Sequence, residues 1–133
     1  MSREGNPLEW LRHAKVDRRA ASTLLESSEY EPCAFHCQQA VEKLLKAIIV
    51  KQTEQKPPHI HDLTTLLRKV RDLQVGDELA QTIRDIDAYY VATRYPLDVV
   101  DEGTFKKPLA GSAVQRTDEV FQWFLSRITF GAT

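Results

Sequence analysis

The nine residues AYYVATRYP, Ala88–Pro96, place an arginine after two tyrosines, with a third tyrosine and a proline following, at the end of a helical pattern. At 100° per residue Arg94 projects about 60° from Leu79 and about 40° from Tyr90, on the edge of the apolar stripe, and Asp87 lies two turns earlier on the same edge. A guanidinium presents its donors as a rigid fork that matches phosphate oxygens. Arg94 can therefore hold a nucleotide or RNA phosphate, with Tyr90 and Tyr95 beside it to stack or to donate a hydroxyl and Asp87 to orient it. The other reading is a helix cap: a cation near the negative end of the macrodipole gains a few tenths to about 1 kcal/mol.

Further polar residues fall on apolar faces. Asp17 and Arg18 both lie in the arc bounded by Leu24 and Leu11, Gln38 lies within its stripe, and Glu42 lies at its border. A buried polar group without a partner costs about 1 to 3 kcal/mol, so these side chains must pair with each other, with a second subunit or with a ligand. Local ion pairs of Asp17 and Arg18 are the plainer alternative. Glu42 and Lys46 read as an i, i+4 pair on a solvated face shared with Lys43.

The histidines and cysteines carry weaker signals. His59 and His61 sit two apart ahead of a helix, where an extended segment would aim both one way, but no third ligand stands nearby, and loop or cap contacts suit them better than a metal. Cys33, His36 and Cys37 also lack a fourth ligand, and Cys37 belongs to the core stripe. Cys33 with His36 as base would be a nucleophile, whereas a cysteine in an apolar helix more often packs. The five glycines form no cluster, which excludes a P-loop or a dinucleotide fingerprint, and no cofactor is implied.

The elements that position these residues are helices, because apolar residues recur at helical spacing and no hairpin signal occurs. The spacing predicts a first helix capped by Asn6, with Pro7 at its first position, running to about Ser27 with Trp10, Leu11, Ala14, Ala21, Leu24 and Leu25 inward. A second helix runs from about Glu31 to Lys51, with Cys37, Ala40, Val41, Leu44, Leu45 and Ile48 on one face, and stops before Pro57 and Pro58. A short third helix has Asp62 as its cap and Leu63, Leu66, Leu67 and Val70 inward. A fourth starts near Asp77 and presents Leu79, Ile83, Ile86 and Tyr90. The last is expected from about Ser112 to Ile128, with Ala113, Val120, Phe121, Phe124 and Ile128 inward. Trp123 projects off that stripe and reads as an exposed anchor for a second subunit. The segment Leu97–Gly111 is the longest connection and would form the rim of a site. Together these describe an all-α, antiparallel, up-and-down bundle of four to five helices.

At 133 residues one domain is expected, with its core over about 7–129. Eighteen Lys and Arg against nineteen Asp and Glu give a net charge of −1, which excludes a broad phosphate-tracking surface, so any nucleic-acid contact must be local. Two cysteines four apart in one helix suit a reducing, cytoplasmic compartment. The longest apolar run, Ala47–Val50, is too short to span a membrane, and the expected protein is soluble and not exported.

Two segments together resemble the HEPN domain, named for higher eukaryotes and prokaryotes nucleotide-binding: CAFHCQQAVEKLLKAIIVK, Cys33–Lys51, and YYVATRYP, Tyr89–Pro96, with HIHDLTTLL, His59–Leu67, between them. The similarity runs from Trp10 to Ile128. It implies a bundle of four to five helices paired as a homodimer, toxin–antitoxin association or a minimal nucleotidyltransferase partner, and, in active members, metal-independent endoribonuclease activity. The signature of those members is an arginine followed, after four to six intervening residues, by histidine. Arg94 matches the arginine, but Tyr95, Pro96, Leu97, Asp98, Val99, Val100 and Asp101 follow it and the histidine is missing. Asp98, ionised at neutral pH, could act only as a base. The resemblance thus implies a nucleotide- or RNA-binding module at Arg94, Tyr90, Tyr95 and Asp87, with Asp17, Arg18, Gln38, Glu42 and His61 as supporting polar groups. Two alternatives stand beside it: a ribonuclease whose histidine comes from His59, His61 or a second subunit, and a structural homodimer with no ligand.

Overall fold

A computed structural model describes the backbone of residues 3–94 and 106–131 and the side chains of 3–89 and 106–131. After a short 3-10 turn at Arg3–Gly5, α1 spans Pro7–Glu26, α2 Tyr30–Thr53, α3 Leu63–Lys69, α4 Asp77–Arg94 and α5 Lys107–Leu125. The architecture is an all-α bundle, and there is no strand among the described residues. Tyr95 and the stretch Leu97–Phe105 lie outside them.

Local chemistry sets the ends. The Asn6 side chain accepts from the Leu8 amide at 3.0 Å, and Pro7 occupies the first turn, where its missing N–H leaves nothing unsatisfied. α1 stops at a tight reversal: Glu29 N donates to Leu24 O at 2.8 Å and Ser28 N to Leu25 O at 3.1 Å, with Ser28 at φ 62°. That pattern satisfies the last carbonyls and turns the chain straight into α2, which packs antiparallel to α1. Asp62 caps α3 by accepting from the Thr64 amide at 2.9 Å.

The last helix differs from the sequence expectation. It begins at Lys107 rather than Ser112, because Pro108 sits in the first turn, where proline is tolerated, and Gly111 lies inside the helix rather than in a connection. It ends at Leu125, with the Ser126 amide closing the final turn onto Gln122 and Phe124 carbonyls.

α1, α3, α4 and α5 all pack against α2. Every residue expected on the α2 stripe is fully buried, and so is more: Leu44–Val50 is enclosed on all sides. A helix buried all round is expected to be apolar all round, so Lys46, 5% exposed, is the exception that has to be explained. The α1 stripe is buried at Leu11, Ala14 and Ala21, while Trp10, Leu24 and Leu25 pack at its margin. Ile83 and Ile86 of α4 and Ala113, Val120, Phe121 and Phe124 of α5 complete the core.

Trp123 corrects another expectation. It is partly buried against the core, edge-on to Phe124 with ring centroids 4.9 Å apart, and the Arg127 guanidinium covers it at 4.1 Å. It is therefore half-buried, not the freely exposed side chain that the helical spacing predicts.

Candidate functional site

Two polar clusters flank α2, and between them they hold Asp17, Gln38, Glu42 and His61, four of the five supporting residues read from the sequence; the fifth, Arg18, pairs with α5 instead. On the side facing α1, Asp17 is 7% exposed and accepts from His36 Nδ1 at 2.9 Å and from Lys43 Nζ at 2.6 Å. Both partners come from α2, seven residues and thus two turns apart, so they meet one carboxylate from the same face. Arg18 turns the other way: its Nε donates to Asp118 of α5 at 2.7 Å and its guanidinium lies 5.0 Å from the Phe121 ring centroid. These ion pairs join helices; they are not the local pairs of the plainer reading. Lys43 leaves the solvated face for Asp17.

On the opposite flank Gln38, Glu42 and Lys46 follow one another at intervals of four. Glu42 and Lys46 do form their i, i+4 pair, at 3.1 Å, but it is buried rather than solvated. Lys46 also stands 5.6 Å from the centroid of the Trp10 ring, whose Nε1 donates to Glu4 O at 2.9 Å. His61 Nδ1 meets Glu42 Oε2 at 3.1 Å. Gln38 is fully buried; its amide donates to His61 O at 2.9 Å and its carbonyl accepts from Gln39 Nε2 at 2.8 Å. Sequence spacing found Glu42 and His61 but missed Lys46 and Trp10, since a lysine four residues from a glutamate is the ordinary mark of a wet helix face.

Asp87 is drawn into this second cluster. Its Oδ1 accepts from the Leu63 amide at 3.1 Å and lies 3.5 Å from Gln38 Nε2, so it pins the first turn of α3 to α4. Burial pushes its carboxyl up to about 6; the adjacent Asp62 carboxyl adds to the rise, while the Leu63 and Gln38 amides oppose it. Asp62 is held low, first by the Thr65 hydroxyl and then by Asp87. A carboxyl with a folded pKa near 6 against about 3.8 unfolded contributes stability that is complete below about pH 4 and is lost as pH rises through about 6. Asp87→Asn keeps the acceptor for the Leu63 amide and removes the charge. The variant is expected to be more stable than the parent by roughly 1 kcal/mol near neutral pH, after allowing for partial solvent screening, with the difference vanishing near pH 4. Urea unfolding across that range checks it; a difference independent of pH refutes it.

Arg94 is the last residue of α4. Its side chain and that of Tyr90 are outside the described side chains, and Tyr95 outside the described residues. Cys33 and Cys37 are free thiols with no exposed surface. Hydrogen bonding from Cys33, followed by burial, pushes the Cys37 thiol up. Cys33 is enclosed in the core, where a substrate could not reach its thiol, so it does not act as a nucleophile with His36 as base. Among the described residues no three His, Cys, Asp or Glu side chains converge as a metal site requires, and no helix is long and apolar enough to cross a membrane.

A bundle centred on one enclosed helix, with polar clusters on its flanks and an arginine closing α4, defines the class. The HEPN domain profile matches residues 8–128, and the chain belongs to the HEPN domain family. Among solved structures it is similar to TT1696 from Thermus thermophilus, with 25% sequence identity and a TM-score of 0.83 over 96% of this chain and 100% of that one. It is also similar to ST0689, an archaeal HEPN homologue, with 22% identity and a TM-score of 0.74 over 97% of this chain and 100% of that one, a likeness of fold alone. No curated protein matches the sequence.

Proposed function

We propose that the chain is a HEPN-type binding module for nucleotides or RNA that lacks the usual ribonuclease activity, acts as a homodimer, and works beside a minimal nucleotidyltransferase in a toxin–antitoxin-type system. The observation that carries this reading is a family match over residues 8–128 in a chain whose Arg94 has no histidine in the seven residues after it. Arg94 contacts phosphate, Tyr90 and Tyr95 flank it and Asp87 orients its guanidinium, while Asp17, Arg18, Gln38, Glu42 and His61 hold the surrounding helices in place. Proton transfer by a positioned histidine contributes a factor of roughly a hundred to ten thousand, so its loss from the signature separates binding from cleavage.

Incubation with mixed RNA in the absence of metal tests the reading. Bound RNA without product is expected, and Arg94→Ala should weaken binding by about ten- to a hundredfold, the value of one charge-assisted contact. Metal-independent cleavage, or binding indifferent to Arg94→Ala, overturns it.

A second reading, a ribonuclease with a histidine from elsewhere in the fold, is favoured by one geometry: His61 Nδ1 rests on Glu42 at 3.1 Å and His36 Nδ1 on Asp17 at 2.9 Å. A carboxylate that orients an imidazole is how hydrolases prepare a general base. Product formation abolished by His61→Ala or His36→Ala would establish it.

A further inference from the structure

At the end of the bundle where α2 gives way to α3, a hollow of about 490 Å³ is lined by Lys56, Arg68, Lys69 and Arg71, with Ile49, Thr53, Gln55 and Pro58 as its remaining wall. Four cations line it and no carboxylate does; Glu54 and Asp72, their neighbours in sequence, are not part of the lining. Lys56 reaches Glu4 at 3.6 Å, while Arg68, Lys69 and Arg71 make no ion pair among the described residues. In a chain of net charge −1 this is a concentrated local field. Helix-dipole compensation accounts for Arg68 and Lys69, which lie in the last turn of α3, but not for Arg71 or Lys56, which lie beyond the helix ends.

The wall is built rather than incidental. Gln52 grips the backbone of Arg71 from both sides, accepting from its amide at 2.8 Å and donating to its carbonyl at 2.7 Å. On the facing side the Thr53 hydroxyl donates to Ile49 O at 2.8 Å and accepts from the Gln55 amide at 3.3 Å. The side chains therefore start from fixed points on both banks. Unpaired cations held close together repel one another, and an anion relieves that repulsion.

We propose that this hollow binds the phosphodiester backbone of a single-stranded nucleic acid, with Lys56, Arg68, Lys69 and Arg71 as its phosphate contacts. The ligand class follows from the lining. It contains no aromatic side chain on which a base could stack and no carboxylate to read a ribose or a base edge, so it recognises phosphate without the nucleoside. Cations drawn from two segments, Lys56 on one and Arg68, Lys69 and Arg71 on the other, suit successive phosphates along a strand better than one compact group. The site is distinct from Arg94 and does not depend on its role.

The test is fluorescence anisotropy with a labelled single-stranded oligonucleotide of about a dozen residues, titrated with the full chain over a range of salt. Replacing Arg68, Lys69 and Arg71 together by glutamine should weaken binding at least about tenfold near 0.1 M salt and flatten the dependence of log K on log salt by about 2, since each single-strand phosphate contact contributes roughly 0.7. A control that loses the same charge elsewhere, Lys15→Gln, Arg19→Gln and Arg84→Gln, should change the slope little. All three patch residues are exposed, and an unchanged circular dichroism melt shows that the variant folds. Equal losses in patch and control variants, or an unchanged slope in the patch variant, overturn the proposal. So does patch-dependent binding of ATP or pyrophosphate without binding of the oligonucleotide. Loss of binding on Arg94→Ala with none in the patch variant would sink this inference and leave the reading of Arg94 intact.

Discussion

Lys46→Ala is expected to lower the free energy of unfolding by about 3 to 5 kcal/mol, a large part of the 5 to 15 kcal/mol typical of a domain this size. The reason is not the worth of the ion pair but what its removal leaves behind. Glu42 is 4% exposed, and its carboxylate meets the Lys46 ammonium at 3.1 Å and His61 Nδ1 at 3.1 Å. Without the ammonium, a carboxylate remains inside the bundle facing one imidazole, and burying an uncompensated charge costs several kcal/mol. Two further variants separate charge from volume. Lys46→Met fills nearly the same space beside Trp10 and should still lose at least about 2 kcal/mol, while Lys46→Met combined with Glu42→Leu should recover to within about 2 kcal/mol of the parent, because a buried pair replaced as a unit by apolar groups is close to neutral. Urea unfolding of the three proteins decides it: a cost for Lys46→Ala under about 1 kcal/mol would mean that Glu42 is not charged in the fold or that water reaches it.

The second large effect is at Phe121. Its ring is fully buried, and the Arg18 guanidinium lies 5.0 Å from its centroid while bonded to Asp118 at 2.7 Å. Phe121→Ala removes a large core side chain and should cost about 3 to 5 kcal/mol, of which the loss of the cation above the ring is about 0.5 to 1. Phe121→Leu keeps most of the volume and should cost roughly 1 kcal/mol. Chemical denaturation at one pH, with the slope of the transition unchanged, provides the comparison. Equal costs for the two substitutions would show that the site collapses around the gap.

Signals that act within a few residues could be read directly from the sequence. Asn6 before Pro7 and Asp62 before Leu63 stand where capping chemistry puts them, and α4 starts at Asp77, just after the break at Gly76. The stripe from Cys37 to Ile48 is buried as its spacing requires. What escaped depends on other elements. Nothing local separates the Glu42 and Lys46 pair from a solvated one; only the packing of α1, α3, α4 and α5 around α2 closes water out. Asp17 and Arg18 announced a need for partners, but those partners lie 19, 26 and 100 residues away. α5 opens at Lys107, ahead of the expected Ser112, because Pro108 and Gly111 signal a break only in isolation, whereas proline fits a first turn and a glycine inside a helix is merely costly. The cations at Lys56 and at Arg68 to Arg71 are separated in sequence by the whole of HIHDLTTLL, and only the reversal between α2 and α3 gathers them into one lining.

The enclosure of α2 has a mechanical meaning. A smooth greased rod could slide or spin among its neighbours with little change in energy, but this one is keyed: Asp17 clasps His36 and Lys43 on one flank, and Glu42 with Gln38 locks onto the His61 segment on the other. A slip of one residue along the axis would rotate each key by about 100° and unseat both at once. The shaft thus serves as a fixed reference, and any adjustment that accompanies a ligand has to take place in the surrounding helices and their connections.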